Sequence, residues 1–171
     1  RNVEKMIKDI LGKLDINRDG FTTSRVGIVA YAAQNVTART LEGYSPYGNN
    51  TIPYLGDDQS NLLEGFAAAE KLVSVPSVAN HKKVIIIVAS TFTGGSQDDP
   101  IVKATKAFNG KIITVQYQQN GAGAEGLGAL ASNNFAFVND DREVENIIAA
   151  LLHTNCFCAP SLKALSTSVY G

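Results

Sequence analysis

The chain has 171 residues, which suits one domain; a chain this long buries about 70% of the surface its unfolded form exposes, so a full core needs no metal or disulfide staples. With 44% hydrophobic and 18% charged residues, composition excludes a disordered chain, a collagen and a cysteine scaffold. The 15 basic and 16 acidic residues leave a net charge of −1, against a non-specific nucleic-acid binder, and the longest clean apolar run, Val84–Ala89, is far too short for a membrane span.

Residues 1–14 set Val3, Met6, Ile7, Ile10, Leu11 and Leu14 at helical spacing, with charged residues between them. No cap or turn precedes this helix, so its natural start is expected outside the sequence. Arg25–Ala33 reads as a buried strand, and the alternating Val36–Leu41 as its hairpin partner. Gly43–Gly56, rich in Tyr, Pro, Gly and Asn, reads as a loop. Residues 60–73 predict a second amphipathic helix with Leu62, Leu63, Phe66, Ala69 and Val73 inward. Lys83–Ser90 is a β-branched run of the kind buried on both faces of a parallel sheet.

Asp98 or Asp99 then caps a helix with Pro100 at its first position and Ile101, Ala104, Thr105 and Phe108 inward. Lys111–Tyr117 predicts a strand, Glu125–Ala131 a short helix and Phe135–Val138 a short strand. Asp140 with Glu143 forms a capping box for the last helix, lined by Val144, Ile147, Ile148, Leu151 and Leu152. Alternation of helices with apolar strands gives an α/β fold: a Rossmann-like, doubly wound, mostly parallel sheet with one antiparallel edge strand. Because the pattern begins on a helix, the strand that should lead into it, the first central strand of the sheet, is expected to be absent from the chain. The domain is expected over residues 1–155, with 156–171 as a tail or linker.

Several motifs test for chemistry. Asp15–Gly20 resembles the first half of a calcium loop, but position twelve falls on Val26 inside a strand, where a bidentate Glu is required. Gly121-Ala122-Gly123-Ala124-Glu125-Gly126 fits G-x-G-x-x-G between a strand and a helix, with Asp140 and Asp141 roughly twenty residues on. A dinucleotide fold wants that turn after its first strand, not near its last. No G-x-S-x-G elbow is present, and His81 and His153 have no nucleophile or metal partner at useful spacing. Two sequons, at Asn35 and Asn49, fall in turn and loop positions. Cys156 and Cys158 are too close in sequence for a relaxed internal bridge and are expected to pair outside this chain or elsewhere in a longer precursor. Sequons and a C-x-C pair together favour a secreted protein.

The opening helix, the strand Arg25-Val26-Gly27-Ile28-Val29-Ala30-Tyr31, the Leu55-Gly56 to Asn61-Leu62 turn and the Val84–Ser90 strand together resemble a von Willebrand factor type A (vWA) domain over about residues 1–153. More narrowly, Ala89-Ser90, Asp99-Pro100 and Leu151–Cys158 resemble the A domains of nematode secreted proteins that often carry a C-type lectin module. The resemblance implies a domain that binds protein ligands, often through a metal ion at the carboxyl edge of the sheet. That site needs D-x-S-x-S after the first strand, a Thr before the second main helix and an Asp after the central strand. The first falls before Arg1, the Thr position falls on Ser60 and the Asp position on Ser90. Mg²⁺ wants charged oxygen ligands in octahedral array. Ser60 and Ser90 are neutral, and Asp57, Asp58, Thr91 and Asp98 compensate only in part, so a degenerate site with no bound cofactor is expected.

The reading is thus a non-enzymatic extracellular adhesion or protein-interaction module. It would bind a protein ligand or neighbouring domains through loops Tyr54–Ser60, Ser90–Asp98 and Gln118–Glu125. Two alternatives remain: a structural assembly subunit that uses the domain's faces or an exposed Val36–Leu41 edge, and a nucleotide-binding domain that uses the 121–126 turn.

Overall fold

The computed structural model describes residues 3–14, 16, 24–32, 35–41, 55, 61–78, 81–90, 92–117, 125–140 and 142–154. Helix α1 (Val3–Leu11) buries Met6, Ile10 and Leu11. Its outer face carries the pairs Lys5–Asp9 and Lys8–Glu4 at 3.0 and 2.7 Å, one helical turn apart. Strands β1 (Val26–Tyr31) and β2 (Val36–Leu41) form an antiparallel hairpin in the register Val26↔Leu41 to Tyr31↔Val36. Helix α2 (Leu62–Val73) starts at Asn61, whose side-chain oxygen accepts the Glu64 N–H at 3.2 Å. A 3₁₀ turn at Pro76–Val78 then leads to β3 (Val84–Ala89).

Helix α3 (Pro100–Ala107) has Asp99 as its cap and Pro100 at its first position, where a missing N–H costs nothing. Strand β4 (Lys111–Gln116), a 3₁₀ helix at Glu125–Leu130, strand β5 (Ala136–Val138) and helix α4 (Glu143–Thr154) complete the order. Strands β3, β4 and β5 form a parallel sheet in that order. The sequence-predicted elements and the mixed α/β class match this architecture.

Strand β4 shows how the sheet is covered. Ile112 faces a cluster built from α2, α3 and the second 3₁₀ helix, including Phe66, Ile101, Val102, Phe108, Leu127 and Leu130. Ile113 and Val115 face the opposite cluster, with Met6 and Ile10 of α1 and Val144, Ile147 and Ala150 of α4. Alternate residues of one strand thus enter two cores, and helices cover both faces. Phe66 meets Phe108 edge to face at 5.9 Å, tying α2 to the end of α3.

No strand of one sheet pairs with a strand of the other among the described residues. Side-chain hydrogen bonds set β1 in the same direction as β3. Arg25, just before β1, donates to the Ser77 carbonyl ahead of β3 at 3.1 Å, and Tyr31, ending β1, donates through its hydroxyl to the Val88 carbonyl at 3.4 Å. Helix α2 packs on β1 and shares a core with β3, while Ile7 of α1 and Leu14 just after it pack both on the second core and on a Leu11–Ile16 cluster that Val26 and Ile28 of β1 also cover. β1 and β3 therefore lie under common helices without pairing to each other among the described residues.

Four local expectations change. Leu63 is 40% exposed and Leu152 67% exposed, so both sit at the solvent margin of their helices; Gly65 and Ala150 take the inward positions. Val102 is buried beside Ile101. The short helix at 125–130 is 3₁₀ rather than α. Asp140 accepts the Arg142 N–H on its side chain at 2.8 Å, while its main-chain carbonyl takes the Glu143 N–H at 3.4 Å, so the expected capping box gives way to an Asx-type turn.

Candidate functional site

The carboxyl ends of β3 and β4 form the edge where open α/β sheets place ligands. Ser90 stands exposed directly after β3. Behind it the β3–α3 connection folds back on Asp99. One carboxylate oxygen of Asp99 accepts the Ile101 N–H and the other the Gly95 N–H, both at 3.1 Å. This carboxylate is therefore committed to the helix start and to its own loop. Asp98 is different: its side chain is 97% exposed and pairs with Lys103 at 3.3 Å, outside the edge. Gln97 accepts from Lys106 at 2.6 Å.

The loop is locked to the next connection by backbone contact. Gly95 has φ +111°, which only glycine adopts freely, and a Cβ there would meet the Gly126 carbonyl oxygen at 2.9 Å. A Cβ on Gly126 would collide with the Gly94 carbonyl. The last glycine of the 121–126 motif is thus spent on packing against the β3–α3 loop, and it lies inside a 3₁₀ helix, not ahead of an α-helix. A phosphate cradle needs open backbone N–H groups at an α-helix start, so this observation counts against the nucleotide reading.

Tyr31 closes the side of the edge towards β1. Its ring lies under Gly65 of α2, where a Cβ would stand 2.7 Å from the ring's Cγ. Burial pushes its phenol up to about 12 from an ordinary 10.0. Nearby, the Asn61 N–H donates to the Ala32 carbonyl at 3.4 Å, fixing the start of α2 against the end of β1.

A sequence profile of the von Willebrand factor type A domain matches residues 1–150. The chain belongs to this family. A search of curated protein sequences gives no match. Among solved structures, this type A domain is similar to proximal thread matrix protein 1 of the mussel byssus, whose structure has a zinc-occupied MIDAS motif. The two share 15% sequence identity and superpose with a TM-score of 0.62 over 86% of this chain. The chain spans 39% of the length of that protein chain.

Of the site residues expected for this type A domain, Ser90, Asp98 and the sequon residue Asn35 lie among the described residues, all three exposed, and Asp98 pairs with Lys103. Asp57, Asp58, Ser60, Thr91 and the 121–124 part of the glycine motif fall outside the described residues, as do Asn49, Cys156 and Cys158. Among the described residues no three His, Cys, Asp or Glu side chains gather to hold a metal. A hard divalent cation needs several charged oxygens. With Asp99 committed to its caps and Asp98 turned to Lys103, neither of these two carboxylates is placed to hold one. His153 instead meets Phe135 edge to face at 6.2 Å, at the far end of the sheet.

Sequence reasoning missed Glu143. It opens α4 at the same end of the sheet as Ser90 and is completely buried. In sequence it resembles any acidic residue of a first helical turn, which favours exposure and the helix dipole. Only the packed structure separates it from Glu145, which is exposed.

Proposed function

We propose that this chain is an extracellular, non-enzymatic protein-interaction module that uses the carboxyl edge of the sheet around Ser90 with a degenerate metal site. The observation that carries this reading is the vWA family match over residues 1–150, taken with Asp98 and Asp99 being engaged away from the edge. The mussel matrix protein, a relative in fold, lends support to an extracellular setting. Loops Tyr54–Ser60, Ser90–Asp98 and Gln118–Glu125 would supply the contacts, with Asp57, Asp58, Ser60 and Thr91 as polar groups. Cys156 and Cys158 would bond outside the domain, and an adjoining C-type lectin module of nematode type follows from the resemblance of residues 151–158.

A second reading, an assembly subunit, is favoured by one observation. Val36, Thr37 and Ala38 of β2 are exposed, and β2 pairs only with β1 among the described residues.

The test uses the whole chain on immobilised extracellular matrix proteins, with Mg²⁺ and with EDTA. Binding that survives EDTA and falls at least tenfold in Ser90→Arg supports the reading. Binding that needs Mg²⁺, or calorimetric titration with micromolar Mg²⁺ affinity, overturns the degenerate site. Binding unchanged in Ser90→Arg but lost in Ala38→Lys selects the assembly reading.

A further inference from the structure

We propose that Asn35 carries an N-linked glycan and that this glycan shields the open edge of β2. The inference rests on the extracellular reading above, because the modifying enzyme works in the secretory lumen.

Asn35 closes the β1–β2 hairpin. Its carbonyl accepts the Ala32 N–H at 2.8 Å, and Ala32 is buried, so the turn backbone is anchored while Asn35 itself is exposed. Thr37, which completes the Asn-Val-Thr sequon, is exposed as well. Residues two apart on an extended chain share a face, so the amide and the hydroxyl face solvent on one side. Both residues of the sequon are therefore accessible to a modifying enzyme. Nδ2 of Asn35 loses a proton and bonds to the anomeric carbon of a lipid-pyrophosphate-linked oligosaccharide, whose carbon–oxygen bond to pyrophosphate breaks.

The surroundings give the glycan a role. Among the described residues β2 has no partner beyond β1, and Val36 is 38% exposed beside the sequon. Exposed edges are commonly protected by Lys, Pro or a bulge. Strand β2 has no Lys, no Pro and an unbroken register, and its one charged residue, Arg39, is half-buried. A bulky, hydrated group at the first residue before the strand supplies that protection. Asn35 also lies at the end of β1 where Tyr31 reaches Val88, so the glycan flanks the Ser90 edge from the β2 side and leaves the β3–β5 side open.

The experiment translates the full chain behind a cleavable signal sequence in the presence of microsomes and reads Asn35 occupancy by peptide mass on the protease-protected fraction. Occupancy is expected in the unaltered chain and in Thr37→Ser, and loss in Asn35→Gln and Thr37→Ala. Luminal protein with Asn35 unmodified overturns the site. For shielding, the glycosylated protein is compared before and after enzymatic glycan removal by sedimentation velocity. Removal is expected to raise self-association several-fold, and Ala38→Lys to abolish that rise; a deglycosylated chain that stays monomeric overturns the shield. Failure of the extracellular reading reads out differently: protein from its native source is then found outside the secretory route, whatever the microsomes do.

Discussion

The two sheets solve the same problem with different sequences. In β3–β5 the strands run parallel, helices cover both faces, and β4 is apolar at successive positions because either side meets a core. In β1–β2 the strands are antiparallel, β1 is half-buried and β2 has mostly solvent around its first residues. Side-chain burial, as well as strand direction, thus separates the two sheets.

The largest break in that contrast should come from Ile113→Ala. Ile113 is 0% exposed in the α1–α4 core, so a loss of about 2–5 kcal/mol is expected in urea unfolding. Gly65→Ala comes next. In an exposed helix this change gains about 0.5–1 kcal/mol, but here the new methyl enters the Tyr31 ring. Overpacking of about 1–3 kcal/mol should win, giving net destabilisation and a disturbed β1; a gain in Tm would show that Tyr31 moves aside freely.

Tyr31→Phe tests the link between the sheets. Loss of the long 3.4 Å bond to Val88 should cost about 0.5–1.5 kcal/mol, towards the lower figure. The phenol's folded value of about 12 exceeds its ordinary 10.0, so the neutral form is favoured by folding. Its stabilisation is complete below pH 10 and is lost as pH rises towards 12. Unfolding free energy should therefore fall across that window in the unaltered chain, and the part due to this residue should vanish in Tyr31→Phe. The smallest effect is expected for Val36→Ser on β2, within about 0.5 kcal/mol. A loss there comparable to that of Ile113→Ala would erase the distinction between the sheets.

Much of this fold was legible because it rests on local pattern. The run Val84–Ala89 could only be a strand with two covered faces, and the Asp99-Pro100 pair marks a helix start by chemistry alone. Leu63 and Leu152 misled because helical spacing locates a stripe but not its margin, which the neighbouring elements decide. The tolerance of Gly65 for the Tyr31 ring was invisible, since the two lie far apart in sequence. At the candidate edge, Ser90 could be placed by its position after a strand. The fates of Asp98 and Asp99, adjacent residues of which one is exposed and the other half-buried, needed the loop's hydrogen bonds, and the burial of Glu143 needed the packing around α4.

The glycine contact between the β3–α3 loop and the 125–130 turn has a further consequence. Gly94 and Gly126 meet backbone to backbone, with the Phe92 ring beside both and the Asp99 carboxylate against Gly94. The two connections touch closely enough that displacing one presses on the other. A partner gripping the loop beside Ser90 would therefore press on the turn that follows β4 as well, through backbone contact, the Phe92 ring and a loop held by the Asp99 carboxylate.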